Sequence, residues 1–186
     1  GNPDGKLLLD DLCGATIHWT ARERRGERME EIAASIRRRG EIPYVIPYGG
    51  SNAVGATGYV RAMVELTEQL AGLGITIDRV IVASSSGGTQ AGLTVGSRMT
   101  GFTGKITGIS IDKGEREEIP YERELSNLSN DIAKWIGLEQ RFSERDFDIC
   151  YDSLGEGYGV MGPPEREAIR LVARQEGILL DPVYTG

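Results

Sequence analysis

Two kinds of segment alternate along this chain, and that alternation limits the folds open to it. Ala15–Thr20, Arg79–Ala83, Lys105–Ile111 and Asp148–Tyr151 are short and rich in apolar and β-branched residues, and read as strands. Glu27–Arg39, Val54–Leu70, Gln90–Met99, Tyr121–Ile136 and Pro163–Glu176 read as helices, because their apolar residues recur every three to four positions. Met29, Ile32, Ala33 and Ile36 share one helical face, as do Tyr59, Met63, Leu66 and Leu70. Pro43–Tyr48 is extended, since Pro43 and Pro47 forbid helix. Leu179–Tyr184 reads as a final extended piece. Strands alternating with helices predict an α/β fold, a mostly parallel twisted sheet with helices on both faces. Arg79–Ala83, continuously apolar after its arginine, reads as a strand buried on both faces.

Composition narrows the function classes. Glycine supplies 26 of 186 residues, roughly twice the usual share. No fixed glycine period occurs, so tight strand-to-helix turns and close backbone approach to a ligand are the expected uses. The net charge of 21 − 28 = −7 argues against a nucleic-acid partner. Arg37–Arg39 reads instead as a solvated helix end that complements the dipole, with Gly40 as its stop. No apolar run approaches a membrane span, and Gly1–Asp4 show no signal-peptide pattern. Cys13 and Cys150, far apart and outside any motif, fit a reducing, cytoplasmic setting. His18 is the single histidine, zinc spacing is absent, and no G-x-S-x-G elbow supports a serine triad, so no metal site is expected.

In parallel sheets ligands bind beyond the carboxyl ends of the strands. The segment there is Ser84-Ser85-Ser86-Gly87-Gly88-Thr89, between the strand ending at Ala83 and the helix continuing Gln90-Ala91-Gly92. It reads as an anion cradle. Free N–H groups of a first helical turn point at the ligand, and the helix dipole adds positive potential. Gly87 and Gly88 admit a phosphate close to the backbone, and Ser86 and Thr89 add hydroxyl donors. The segment is neither a Walker loop nor a G-x-G-x-x-G dinucleotide fingerprint.

Three segments in this order and at these separations carry a resemblance: Ile46-Pro47-Tyr48-Gly49-Gly50-Ser51-Asn52, Ser86-Gly87-Gly88-Thr89-Gln90-Ala91-Gly92, and Leu180-Asp181-Pro182-Val183-Tyr184-Thr185-Gly186. Together with Gly1-Asn2 and Leu7-Leu8-Leu9-Asp10, they resemble the D-cysteine desulfhydrase and 1-aminocyclopropane-1-carboxylate deaminase family. These are pyridoxal-phosphate enzymes of the tryptophan-synthase β fold type. The resemblance implies that Ser85, Ser86, Gly87, Gly88 and Thr89 hold the cofactor phosphate. Ser85 stands where the family commonly has glycine, and a change in loop geometry is expected there, since serine tolerates positive φ poorly. The resemblance makes Tyr158 and Tyr184 the active-site tyrosines and assigns Ser51 and Asn52 to substrate. Thr185 would meet the cofactor's pyridine nitrogen, where the deaminase branch resembles a carboxylate site and the desulfhydrase branch a threonine site.

The same resemblance implies a lysine that links the cofactor covalently, in a Gly-Asn-Lys context. Lys6, Lys105, Lys113 and Lys134 lack that context and read as surface lysines. The chain is therefore expected to be a fragment: residues 1–46 the remnant of a smaller domain, and 47–186 the core of the cofactor-binding domain. The whole enzyme would be a homodimeric lyase of small amino acids, taking D-cysteine to sulfide, pyruvate and ammonia, or cysteate with sulfite leaving. Deaminase activity is the alternative within the family. A non-catalytic module that binds a phosphorylated metabolite is the alternative outside it.

Overall fold

The computed structural model describes residues 5–111, 119–153 and 155–186. Gly1, Asn2 and Lys113 lie outside the described residues, as does the side chain of Lys6. The chain divides into two compact units, Gly1–Ile46 and Pro47–Gly186.

The first unit holds helix α1 (Gly5–Leu12) and helix α2 (Arg25–Arg38), the latter led in by a 3-10 turn at Arg22–Arg24. Glu27 in the first turn of α2 and Arg37 and Arg38 in its last suit the helix dipole, as the sequence predicts. Surface pairs Arg24–Glu27 and Arg28–Glu31 lie three residues apart along it. Ala33 is the buried apolar residue of this unit among the described residues. The strand expected at Ala15–Thr20 does not form. A strand needs a partner ladder, none pairs with this segment among the described residues, and Trp19 is left 77 % exposed.

The second unit runs α3 (Ala53–Leu73), β1 (Arg79–Ser84), α4 (Gly88–Thr100), β2 (Lys105–Ser110), α5 (Tyr121–Ile136), β3 (Asp148–Cys150) and α6 (Pro163–Glu176). The strands form a parallel sheet in the order β1-β2-β3, with Val80 opposite Ile106 and Ile109 opposite Cys150. Local chemistry sets the helix ends. Asn52 caps α3 by accepting from the Gly55 N–H at 2.7 Å, and Gly74 ends it at φ +66°. Pro120 precedes α5 and left-handed Gly137 closes it. Pro163 opens α6, the Glu165 carboxylate accepts from the Gly162 N–H at 2.7 Å, and Gly177 ends it.

Helices α3, α4 and α5 all pack on one face of the sheet. Met63 of α3 and Leu93 of α4 cluster with Val80, Val82 and Ile106. The Tyr121 hydroxyl of α5 reaches Ser84, which shares that face with Val80 and Val82. A larger cluster joins Ala56, Val60, Ala91, Val95, Leu125 and Ile132 between the helices. The opposite face of β1 is open, contrary to the burial expected on both sides: Ile81 is 63 % exposed. At the amino ends of the strands that face carries Arg79, which donates to Thr107 (2.6 Å) and Asp148 (3.0 Å).

Helix α4 lies unusually close to α3 because two of its residues have no side chain. A Cβ on Gly92 would strike the Ala56 carbonyl, and one on Gly96 would lie 2.6 Å from Met63 Cβ and 2.9 Å from the Val60 carbonyl oxygen. Helix propensity alone favours alanine over glycine by about 1 kcal/mol. Here the clash wins, and Gly96→Ala is expected to destabilise the chain by about 1–3 kcal/mol, the usual cost of overpacking. A urea titration should show a lower midpoint at unchanged slope; a raised midpoint would mean that the helices can part without cost.

Candidate active site

Strand β1 delivers the chain to the carboxyl end of the sheet at Ala83 and Ser84, and there a cavity of about 540 Å³ opens. That is within the range of small-molecule sites. Its wall includes Ser51, Ser84–Thr89, Tyr158 and Tyr184. Of the residues that the sequence singles out, Ser51, Ser85, Ser86, Gly87, Gly88, Thr89, Tyr158 and Tyr184 are thus brought together. Asn52 and Thr185 lie outside the described wall. Asn52 is occupied in capping α3. The Thr185 hydroxyl donates to the Asp181 carboxylate at 2.8 Å and accepts from the Asp181 N–H at 2.9 Å.

Helix α4 begins two residues earlier than expected, at Gly88, with Gly87 as its N-cap at φ +85°. Glycine is required at that position twice over: L-residues rarely adopt the angle, and a Cβ would lie 2.7 Å from Leu125 Cδ2. An N-cap without a side chain gives the first turn no cap of its own, and the Gly88 N–H is met instead by Ser51 Oγ at 3.1 Å. A phosphate fits the residues present, since Gly87 and Gly88 carry no side chain and Ser85, Ser86 and Thr89 line the same wall with hydroxyls. Ser85 takes an ordinary negative φ, so its departure from the family's glycine needs no special loop geometry.

A buried network fixes the cradle from beneath. The Ser84 hydroxyl, 2 % exposed, donates to Gln90 Oε1 at 2.8 Å and lies 2.7 Å from the Tyr121 hydroxyl. Gln90, fully buried, donates through Nε2 to the Asp148 carbonyl at 3.1 Å. Gly108 gives that amide room, since a Cβ there would collide with it. The network ties the end of β1, the start of α4, α5 and β3 into one support. The sequence reading missed Gln90 and Tyr121, and the only available signal was a polar residue directly after the cradle.

The tyrosines come from separate segments. Tyr158 lies in a turn closed by the Val160 N–H donating to the Gly157 carbonyl at 3.1 Å. Tyr184 lies in a turn at Pro182–Thr185, where an extended segment was expected. Asp181 explains the difference: its Oδ1 accepts from the N–H groups of Val183 (2.8 Å) and Tyr184 (2.9 Å), a local bond that competes with extended backbone. The two phenol oxygens are 3.1 Å apart and the rings meet edge to face at 6.3 Å. Such a pair can hold a proton or pass one between its oxygens.

Among the described residues the cavity wall holds no lysine. Lys105 is the first residue of β2, at the opposite end of the sheet, and Lys134 is exposed in the last turn of α5.

The family model described as "Pyridoxal-phosphate dependent enzyme" matches residues 1–186. The chain belongs to that family, whose members depend on pyridoxal phosphate. A solved structure titled "Crystal Structure Analysis of the ACC deaminase homologue" superposes on it with a TM-score of 0.80 at 34% sequence identity. The match covers 97% of this chain and 54% of that one, so the chain spans about half the length of this relative. The α/β fold of tryptophan-synthase β type and the resemblance to the D-cysteine desulfhydrase and ACC deaminase family are both borne out. No described helix is long and apolar enough to cross a membrane.

The N–H of Tyr184 bonded to Asp181 is the main cause that holds this carboxyl below its usual range, with Thr185 and Val183 adding to it against the penalty of burial. A depressed folded value means that the stabilisation is present above the ordinary carboxylate range near about pH 4. It is lost as pH falls through the folded value. Acidification should therefore release the Val183 and Tyr184 amides, read as a shared shift of their NMR resonances. Asp181→Ala should show the released positions at neutral pH and no such transition; an unchanged transition in that variant would assign it to another group.

Proposed function

We propose that the full-length protein is a pyridoxal-phosphate-dependent lyase that converts D-cysteine and water to pyruvate, ammonia and sulfide. The observation that carries this reading is the N-terminus of α4, whose N-cap Gly87 has no side chain, opening on one side of a cavity whose wall also holds the paired phenols. In this reading Ser85, Ser86, Gly87, Gly88 and Thr89 bind and orient the cofactor phosphate through backbone N–H groups and hydroxyls. Bound there, the cofactor supplies an electron sink for the α-carbon of an amino acid once its proton is lost. Tyr158 and Tyr184 hold or move a proton between their hydrogen-bonded oxygens. Ser51 and Asn52 were assigned to substrate on sequence grounds; only Ser51 reaches the cavity wall, which favours Ser51 for any contact there.

A hydroxyl rather than a carboxylate at Thr185 supports the desulfhydrase over the deaminase. A neutral partner leaves the pyridine nitrogen less protonated, and a weaker sink suffices when the β-carbon carries a good leaving group. For Thr185 to serve in this way its hydroxyl must turn away from Asp181. The deaminase reading is favoured by another observation, the 34% identity to an ACC deaminase homologue. Cysteate, with sulfite leaving, requires the same elimination as D-cysteine. We further propose that residues 47–186 are the core of the cofactor-binding domain, that residues 1–46 belong to a second and smaller one, and that the full-length enzyme is a homodimer.

Assays of the full-length protein decide between the readings. Sulfide and pyruvate from D-cysteine, with no ammonia from aminocyclopropane carboxylate, is the expected result; the reverse establishes the deaminase. On the 186-residue chain alone, borohydride reduction after addition of pyridoxal phosphate should give no dominant adduct on Lys105 or Lys134. One dominant adduct with turnover would show that the amine required is within this chain.

A further inference from the structure

We propose that Ser51 is a positioning residue for the phosphate end of the cavity: its hydroxyl caps α4 from another loop and sets the Ser86 hydroxyl as a donor to the bound anion. The proposal rests on the cradle reading above, and it gives Ser51 a task other than substrate contact. Helix α4 has no cap of its own, because its N-cap is Gly87. The cap comes from 37 residues away in sequence, where Ser51 Oγ accepts from the Gly88 N–H at 3.1 Å. An N–H can only donate, so this bond takes a lone pair of Ser51 and leaves its proton for another acceptor. That acceptor is Ser86 Oγ, at 2.7 Å. Ser86 in turn has its oxygen engaged as acceptor, and its own proton has no other partner among the described residues. The result is a directed chain, Gly88 N–H to Ser51 to Ser86, that starts at the positive end of the α4 dipole. Each bond in such a chain strengthens the next, so Ser86 becomes a better and better-aimed donor.

Three glycines are shaped around this pair. A Cβ on Gly88 would lie 2.7 Å from Ser51 Oγ, and one on Gly49 would collide with Ser86 Oγ and lie 3.3 Å from Ser51 Oγ. A Cβ on Gly55 would strike the Gly50 carbonyl and force the loop bearing Ser51 off the start of α3. The turn Tyr48–Gly50, with Gly49 at φ +67°, therefore holds Ser51 against the cradle by backbone geometry. Ser51 also lies directly before the Asn52 cap, so the same turn that starts α3 supplies the cap of α4.

The test uses the full-length protein with inorganic phosphate as probe, titrated by phosphorus NMR, and urea midpoints to follow folding. Ser51→Ala should weaken phosphate binding about fivefold, the scale of one ordinary hydrogen bond. Ser86→Ala should cost about the same, and the double variant should be no weaker than Ser86→Ala alone, the non-additivity expected of residues that act as one chain. Ser51→Thr keeps the hydroxyl and should restore binding; if Ser51→Ala does not fold, Ser51→Cys takes its place in the same cycle. Unchanged or tighter binding in Ser51→Ala would show that Ser51 merely competes for the Gly88 N–H, and additive losses would show two independent contacts. Either result overturns the proposal while leaving the cradle intact. Failure of the folded wild-type protein to bind phosphate overturns the cradle itself and the relay with it.

Discussion

The N-terminus of α4 is the constraint on which the rest of this structure depends. A helix that starts on a left-handed glycine has polar N–H groups that need partners, and here that terminus lies at the carboxyl end of a parallel strand, with Ser51 meeting the Gly88 N–H. The surrounding parts follow from holding that terminus still. Gly92 and Gly96 let α4 sit against α3 at backbone distance, and Leu125 fills the space that a side chain at position 87 would take. The buried Ser84–Gln90–Asp148 chain ties the same point to the sheet. Glycine is abundant here because close approach recurs, in helix packing as well as in the loop.

Much of this was legible in the sequence. The apolar run of β1 ending at a serine and glycine cluster marks the site on its own. The bounds of α5 and α6 agree with the sequence reading, because proline before or at the first turn and glycine after the last are local signals. The failures have local or tertiary causes. Leu179–Tyr184 looks extended by composition, but the Asp181 side chain bonds the following amides and turns the chain. Ala15–Thr20 has strand composition without a pairing strand among the described residues. Burial of Ile81 was inferred from an apolar run, yet α3, α4 and α5 pack on the other face and Ile81 is exposed.

The placement of Ser51 was not legible at all as a cap. It depends on two loops 35 residues apart meeting within hydrogen-bond distance, and neither loop's own composition announces the other. The network through Gln90 and Tyr121 is hidden in the same way, since its bonds join strand, loop and helix that only the assembled fold brings together. The tyrosine pair stands between these cases: each residue was singled out by motif, and the fold shows that their phenols share a bond.

The central claim is that the first turn of α4 is where the cofactor phosphate docks. Amide NMR of the isotopically labelled full-length protein, titrated with pyridoxal phosphate, tests it most directly. The account predicts that the largest saturable shifts fall on Ser86, Gly87, Gly88 and Thr89, with smaller ones at Ser51. Largest shifts on the arginine-lined face of α6, at Arg166, Arg170 and Arg174, with the α4 amides unmoved, would contradict it.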